Sequence, residues 1–418
     1  MIDRRRFVQS TAALAAAGFL PAVFAGDRFD AGRFDAVIAR LQAFVEDGQL
    51  PFASLRIACQ GRVLAQAQLS GVETIGADSL YRIYSMTKPV VAAGTMLLVE
   101  DGELALHDPV ARYVPEFAGL EVLTGPFRRE PARPMLVGHL LSHSCGLANS
   151  WGDSAIAPLY REAGLVAAAW MYDARIGGLA GFAERLGRLP LAFQPGSDWV
   201  YGYGLDIAGL VIERISGQRL GAFLRRRLFE PLGMASTGFL VREAQRERLA
   251  GLYAAGDGGI TRMANGSELA PLSRPHADAG SGGLVSTLED YGRFADMLAN
   301  GGARDDVRVM QPETVRALFT PWQPQAPLLA SLQRFGRYAP GSVAQALGGI
   351  VRLDDRAGPG SAGEYAWGGA AGTGFWSAPA LGLSAVVMTQ LMPAATTSAR
   401  DILRPLVYRA LSDDSRDP

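Results

Sequence analysis

Residues 81–90 of the chain read Tyr-Arg-Ile-Tyr-Ser-Met-Thr-Lys-Pro-Val. Within this stretch Ser85 and Lys88 form a Ser-x-x-Lys pair, and an apolar run of helical pattern follows to about Glu100. Pro89 is compatible with the first turn of a helix, because the first four N–H groups have no intrahelical partner. We therefore predict a helix with Ser85 at its N-terminus and Lys88 on the same face.

This arrangement is one that activates a serine. A serine hydroxyl is a weak nucleophile until a base removes its proton, and a neutral lysine one turn away is such a base. The helix N-terminus adds partial positive charge and free N–H groups beside a developing oxyanion. Ser-x-x-Lys alone is a weak signal, and the alternative interpretation is an N-cap serine followed by a surface lysine.

The use of basic residues favours the catalytic interpretation. Lysine and arginine together number 40, and Lys88 is the single lysine. Arginine does not release its proton inside a protein, whereas a desolvated lysine does. A lone lysine in an arginine-rich chain indicates a position where deprotonation matters, with chance retention as the alternative.

The bulk composition excludes several classes of protein. Of the 418 residues 49% are hydrophobic and 19% are charged, which is typical of a globular chain with a large core. A net charge of −1 predicts no nucleic-acid partner and no binding to an anionic membrane surface. The two cysteines, Cys59 and Cys145, lack metal-like spacing, and whether they pair is left open.

The histidines suggest neither a zinc site nor a Ser-His-Asp triad. They are His107, His139, His143 and His276. Their scatter lacks the spacing of zinc ligands, so we expect no metal and no other cofactor. A Gly-x-Ser-x-Gly element and a histidine near the end of the chain, expected of an α/β-hydrolase, are both missing. We predict that His143 caps or packs a helix near the site.

The N-terminus reads as an export signal. Residues 2–9 are Ile-Asp-Arg-Arg-Arg-Phe-Val-Gln, an apolar stretch follows from Ser10 to Phe24, and small residues flank Phe24. A basic region, an apolar region and a small-residue cleavage site form a secretory signal, and the arginine pair resembles the twin-arginine type. We predict that residues 1–25 are cleaved after Ala25. The mature protein would then be periplasmic or secreted, without stable membrane insertion.

Elements at both ends of the mature chain can be read from periodicity. Apolar residues at helical spacing predict a helix over 34–45. Residues 55–69 contain two strand-like runs around Gln60-Gly61, which predicts a hairpin. Near the C-terminus, Phe375 and residues 383–390 favour strands, and residues 400–411 favour a final helix.

These elements predict the fold class. Strands at both ends with helices between them indicate an α/β (α+β) architecture, in which N- and C-terminal strands form one antiparallel sheet flanked by helices. We assign residues 26–84 and 290–418 to this α/β region. Residues 85–289 are predicted to be a mostly helical region inserted into it.

Two glycine- and aromatic-rich patches accompany the Ser-x-x-Lys pair. Residues 195–209 read Pro-Gly-Ser-Asp-Trp-Val-Tyr-Gly-Tyr-Gly-Leu-Asp-Ile-Ala-Gly, and residues 365–376 read Tyr-Ala-Trp-Gly-Gly-Ala-Ala-Gly-Thr-Gly-Phe-Trp. Glycines at such positions let the backbone approach a ligand closely. With these motifs the chain resembles the serine β-lactamase and penicillin-binding-protein superfamily over residues 35–410. Within it, the chain is most similar to the class C β-lactamase-like esterases, the family VIII carboxylesterases.

The resemblance implies a set of roles. Ser85 would be the nucleophile and Lys88 the base, and Tyr201, in the place of the tyrosine of the family's Tyr-x-Asn element, would pass the proton to the leaving group. The family's third motif, Lys-Thr-Gly on an edge strand, matches Trp367-Gly368-Gly369. The backbone N–H groups of Ser85 and Ala370 would form the oxyanion hole.

Two departures from the family pattern bear on the substrate. In true β-lactamases and D-amino-acid peptidases the third-motif lysine helps to hold the substrate carboxylate, and here that residue is Trp367. The asparagine of Tyr-x-Asn is Tyr203. We therefore expect poor binding of carboxylated amides and an apolar or aromatic acyl pocket, with Tyr203, Trp367, Gly368 and Gly369 as substrate-binding residues.

The predicted partner is a small-molecule ester, cleaved through an acyl-enzyme on Ser85. Three alternatives stay open. The first is a β-lactamase or D-amino-acid peptidase, and the second is an acyltransferase that uses the same acyl-enzyme. The third is a non-enzymatic penicillin-binding-like receptor, which the intact Ser85, Lys88 and Tyr201 disfavour. The oligomeric state is also open.

Overall fold

The computed structural model describes residues 31–412 except 126–127, 152–153, 168, 257, 264–271, 323–328, 334–337, 357 and 394–398. The predicted signal peptide and its cleavage after Ala25 lie outside the described residues. Among the residues that are described, no helix has both the length and the apolar character needed to cross a bilayer.

The described residues form strands of two to nine residues and α-helices of five to fourteen residues. The strands are β1 (Phe52–Cys59), β2 (Arg62–Ser70), β3 (Tyr81–Arg82), β4 (Glu121–Leu123), β5 (Arg129–Pro131), β6 (Tyr253–Gly256), β7 (Gly259–Arg262), β8 (Val285–Ser286), β9 (Ala303–Arg304), β10 (Val307–Arg308), β11 (Val343–Gln345), β12 (Ile350–Arg352), β13 (Tyr365–Gly368), β14 (Gly374–Ala378), β15 (Leu383–Met388) and β16 (Leu391–Met392). The α-helices are α1 (Asp35–Glu46), α2 (Thr87–Glu100), α3 (Val137–Leu141), α4 (Ala157–Glu162), α5 (Gly178–Leu186), α6 (Gly204–Ser216), α7 (Leu220–Leu224), α8 (Leu288–Ala299), α9 (Pro312–Phe319) and α10 (Ala399–Ser412).

A seven-stranded antiparallel sheet joins the two ends of the chain. Its order is β11-β12-β13-β14-β15-β1-β2, so the N-terminal hairpin pairs with the last long strand. Every residue of β1 and of β15 is buried. Helix α8 packs on β1, β14 and β15, while α1 contacts β1 and packs against α10. The predicted fold class, an antiparallel sheet of N- and C-terminal strands flanked by helices, is confirmed.

The hairpin between β1 and β2 turns where it was predicted. Gln60 has φ +51° and Gly61 has φ +79°. Two successive residues with positive φ match the right-handed twist of the flanking strands, which is why tight two-residue hairpins use them. A buried ion pair then ties β1 to the helix above it, because Arg56 lies 2.8 Å from Asp296 of α8.

Helix α2 lies inside the molecule. Residues from Thr87 to Leu98 are all buried, and the helix contacts α6, α7 and α9. A helix that carries apolar side chains on all its faces is usually surrounded by other elements of the protein, as α2 is here. Lys88 is 2% exposed in this setting.

The structure corrects one detail of the resemblance and adds elements that the sequence did not predict. The third-motif strand β13 pairs with both β12 and β14, so it is interior to the sheet, and the edges are β11 and β2. Strands β11 and β12 are three residues each, too short to show a period of two. Cys59 and Cys145 are both buried free thiols. The boundaries proposed at 84/85 and 289/290 stay a prediction.

Candidate active site

Ser85 stands on a strained turn ahead of α2. A single 3₁₀ turn covers Tyr84–Met86, and α2 begins at Thr87. Tyr84 has φ +44°, an uncommon conformation for a residue with a side chain, which costs about 1–3 kcal/mol and is found mostly at functional sites. The N–H of Ile83 donates to Leu284 (3.1 Å), and this bond helps hold the turn in place.

The structure brings together the three residues predicted for catalysis. Ser85 Oγ lies 2.6 Å from the hydroxyl of Tyr201 and 3.3 Å from Lys88 Nζ. Lys88 Nζ lies 4.5 Å from the centroid of the Tyr201 ring, and it donates a second hydrogen bond to the carbonyl oxygen of Ser281 at 2.5 Å. The serine oxygen is therefore within hydrogen-bonding distance of both an amine and a phenol.

Contacts to both the backbone and the ring of Tyr201 fix its position. It lies three residues ahead of α6, and the side-chain amide of Asn149 donates to its carbonyl oxygen at 2.6 Å. Its ring stacks with Trp367 at a centroid distance of 6.1 Å. Asn149 was not predicted from the sequence.

His143 packs behind the site. Its ring lies 4.8 Å from that of Tyr201 and 5.7 Å from that of Trp199, and neither ring nitrogen has a hydrogen-bond partner among the described residues. Burial and the nearby charge of Lys88 hold the pKa of His143 well below its usual value. The neutral ring supports the wall of aromatic side chains around Ser85.

A cavity of about 730 Å³ opens onto Ser85. All predicted substrate-binding residues line it, as does Ala370. Its wall is largely aromatic, with rings from Tyr84, Trp151, Tyr201, Tyr203, Tyr338 and Trp367. Its size and apolar lining are those of a site for a small organic molecule.

Tyr203 contributes ring surface to this wall rather than a free hydroxyl. It is 3% exposed, and its hydroxyl donates to the carbonyl oxygen of Leu165 at 2.7 Å and lies 3.1 Å from Ser150 Oγ. Burial raises the pKa of Tyr203 to about 12. The Tyr203 hydroxyl is therefore already hydrogen-bonded within the protein, and its role as a substrate-binding residue stays a prediction.

The third motif lies against the turn that carries Ser85. A Cβ added to Gly369 would lie 2.5 Å from the carbonyl oxygen of Ile83 and 2.2 Å from Thr373 Oγ1. Only glycine permits so close an approach. The backbone two residues before Ser85 therefore lies against the residue before Ala370, and the oxyanion hole is predicted to form from the N–H groups of Ser85 and Ala370.

The structure also places a cation in the cavity that the sequence did not predict there. Arg400 of α10 lines the cavity and is 8% exposed, and its Nη1 atom lies 3.4 Å from where a Cβ of Gly368 would lie. Its Nε donates to Asp401 at 3.2 Å. The pocket therefore keeps a positive charge even though Trp367 replaces the third-motif lysine. The guanidinium of Arg400 can pair with an anionic substituent of a ligand.

Known proteins resemble this chain over most of its length. A family model described as Beta-lactamase matches residues 37–408. The chain is 31% identical over 392 residues to Esterase EstB of Burkholderia gladioli, covering 90% of this chain and 94% of that protein. It is 30% identical over 313 residues to the lovastatin esterase of Penicillium rubens, covering 70% and 74%. The solved structure of EstCE1, described as a hydrolase with promiscuous acyltransferase activity, shares the fold with a TM-score of 0.77, at 22% identity and over 90% of this chain and 98% of that one.

Proposed function

The chain belongs to the Beta-lactamase family, and from this premise we propose that it cleaves carboxylic esters of small or aromatic acyl groups through an acyl-enzyme on Ser85. Homology with esterases supports serine hydrolase or acyl-transfer activity in general. The proposal concerns the substrate class and the residues that act on it.

One observation carries the mechanism: Ser85 Oγ lies within hydrogen-bonding distance of both Lys88 Nζ and the Tyr201 hydroxyl. Lys88 takes the serine proton as Oγ bonds to the ester carbonyl carbon. The negative charge on the carbonyl oxygen is stabilised by the N–H groups of Ser85 and Ala370. The proton passes through Tyr201 to the alkoxy oxygen, the carbon–alkoxy bond breaks, and the alcohol leaves.

Water completes the cycle. It loses a proton to the same Lys88–Tyr201 pair and attacks the acyl carbon, the bond to Ser85 Oγ breaks, and Oγ recovers its proton as the acid leaves. An alcohol in place of water would transfer the acyl group instead.

The cavity supports an ester with an apolar acyl group as substrate, while Arg400 in the cavity lining is a cation that a β-lactam carboxylate could also bind. Its wall is aromatic, and the third-motif position carries Trp367 rather than lysine. An apolar surface beside the nucleophile favours an acyl chain or ring.

The test is an assay of the protein and of Ser85→Ala on p-nitrophenyl acetate, p-nitrophenyl butyrate and nitrocefin. Ser342→Ala is the matched control, because Ser342 lies outside the cavity lining and its hydroxyl donates to the carbonyl oxygen of Ala339 at 2.7 Å. We expect both esters to be cleaved faster than nitrocefin by the wild type and by the control, and neither ester to be cleaved by Ser85→Ala. Faster cleavage of nitrocefin would favour the β-lactamase alternative, and full activity of Ser85→Ala would overturn the mechanism.

A further inference from the structure

Ser281 connects the catalytic lysine to a buried carboxylate. Its carbonyl oxygen accepts the hydrogen bond from Lys88 Nζ at 2.5 Å, and its N–H donates to Asp206 Oδ1 at 3.0 Å. Asp206 is the third residue of α6 and is fully buried. Asp206, in the first turn of α6, therefore accepts a hydrogen bond from a segment 75 residues away in the sequence.

The segment around Ser281 is pressed against the start of α6. A Cβ added to Gly280 would lie 2.2 Å from the carbonyl oxygen of Leu205 and 3.4 Å from Asp206 Cα. The glycine permits this contact, and the hydrogen bond from Ser281 to Asp206 defines how the segment is oriented once it is there. The start of α6, three residues after Tyr201, therefore lies against the segment whose carbonyl oxygen binds Lys88.

We infer that Asp206 is a positioning residue: through the N–H of Ser281 it holds the Ser281 carbonyl oxygen in the place where that oxygen binds Lys88 Nζ beside Ser85. The inference rests on the proposed function, because it assigns Asp206 a part in the activation of Ser85. Asp206 touches neither Ser85 nor the cavity, so its effect is transmitted through the backbone of Ser281.

The electrostatic setting of Asp206 agrees with this role. Burial raises the pKa of Asp206 to about 6, and the bond from Ser281 together with the charge of Lys88 opposes that rise. Its second oxygen, Oδ2, has no hydrogen-bond partner among the described residues. A buried carboxylate with half of its bonding capacity unused is costly to keep, which argues that its remaining bond to Ser281 serves the site.

The experiment compares Asp206→Ala and Asp206→Asn with the wild type. Asp290→Ala is the matched control, because Asp290 is also buried and accepts a backbone N–H, that of Ser236 at 2.7 Å, but lies outside the cavity lining. The first measurement is the second-order rate at which a fluorophosphonate probe labels Ser85, which requires an activated serine but no knowledge of the natural substrate. The second is kcat and KM on p-nitrophenyl butyrate, per labelled active site, with thermal unfolding of each variant.

We expect Asp206→Ala to lower both the labelling rate and kcat by about 30-fold or more with little change in KM, since mispositioning a catalytic group acts on the chemical step. Asp206→Asn keeps an oxygen that accepts the Ser281 N–H, so it should restore the rates to within about fivefold of the wild type. Asp290→Ala should change the unfolding temperature but not the labelling rate.

The inference is overturned if Asp206→Ala labels as fast as the wild type, or if Asp206→Asn is as slow as Asp206→Ala, which would make charge rather than the hydrogen bond decisive. If Asp206→Ala does not fold, Asp206→Asn alone tests the inference. A labelling rate for Asp206→Asn more than about tenfold below that of the wild type would then contradict the positioning role of Asp206. A wild type that the probe does not label at Ser85 would instead contradict the proposed function.

Discussion

The hydroxyl of Tyr201 lies 2.6 Å from Ser85 Oγ, although 116 residues separate the two in the chain. Lys88, three residues from the serine, is farther from the same oxygen, at 3.3 Å. The nucleophile therefore faces an amine from α2, the helix that follows it, and a phenol from the segment just ahead of α6. Each of the two can be removed separately.

Tyr201→Phe removes the phenol and keeps the ring that packs against Trp367 and His143. We expect kcat on p-nitrophenyl butyrate to fall by about 10²–10⁴-fold, the range typical of a lost acid–base group, with little change in KM. Steady-state kinetics with thermal unfolding measures both effects.

Tyr203→Phe is the control for this change. The Tyr203 hydroxyl bonds inside the wall to Leu165 and Ser150, so its loss should lower stability by about 1 kcal/mol and leave kcat within a few-fold. If Tyr203→Phe reduced kcat as much as Tyr201→Phe does, the assignment of the phenol at Tyr201 would be wrong.

Lys88→Arg tests whether the site needs a side chain that can release its proton or only a positive charge at this position. The substitution preserves a positive charge but replaces an amine that can act as a base with a group that stays protonated in proteins. We expect acylation to slow by about 10³-fold. Lys88→Gln, which removes the charge as well, should be equally slow. A Lys88→Arg enzyme that keeps a tenth of wild-type activity would show that charge, not deprotonation, is what the site needs.

Arg400→Met tests the cation that lies beside Gly368. Mono-p-nitrophenyl glutarate and p-nitrophenyl pentanoate have the same chain length, but only the first ends in a carboxylate. A guanidinium that pairs with this carboxylate contributes a charge-assisted hydrogen bond, so the variant should lose about tenfold or more in kcat/KM on the glutarate and little on the pentanoate.

Asp401→Asn is the counterpart of Arg400→Met, because Asp401 accepts the bond from Arg400 Nε. Removing that carboxylate should increase the preference for the glutarate over the pentanoate. An equal loss on both esters in Arg400→Met would indicate that Arg400 supports the cavity wall rather than an anionic group of the substrate.

The stability of the protein should depend on pH through Asp206. Burial raises the pKa of Asp206 to about 6, against about 3.9 in an unfolded chain. The folded chain therefore binds this proton more tightly, and the stability that the proton contributes is fully present below about pH 4 and is lost as the pH rises through about 6. Relative to Asp206→Asn, the wild type should lose on the order of 2–3 kcal/mol of unfolding free energy between about pH 4 and 7. Denaturant unfolding of both proteins across this range measures the difference, and a difference independent of pH would contradict the expectation.

Much of the architecture was predictable because its signals are local. The two strand-like runs around Gln60-Gly61 predict the hairpin, and the structure has strands at 52–59 and 62–70. The apolar run after Ser85 predicts a helix to about Glu100, where α2 ends. Strands β11 and β12 were missed because three residues carry no periodicity. Strand β12 pairs with β13, and β11 pairs with β12.

The site was predictable to a smaller extent. Ser85, Lys88 and Tyr201 were predicted from a motif and a resemblance, and the structure places them together. Asn149, Asp206 and Arg400 were not predicted, because each acts on the site from an element remote in the sequence. No spacing rule relates Arg400 to Gly368 or Asp206 to Ser281, since these pairs meet through the packing of α10 and α6.

The sequence by itself determined the Ser85–Lys88 pair, since three residues of helix set the distance between a serine and a lysine. It also determined that strands from both ends share one sheet. Only the tertiary structure decided that β13 is interior, that Tyr203 turns its hydroxyl into the wall, and that the guanidinium of Arg400 lies beside Gly368. The physical reason is that the pattern of apolar residues that predicts a helix or strand depends on residues close together in the sequence. The distance between Tyr201 and Ser85 depends instead on how the helices and the sheet pack across the whole chain.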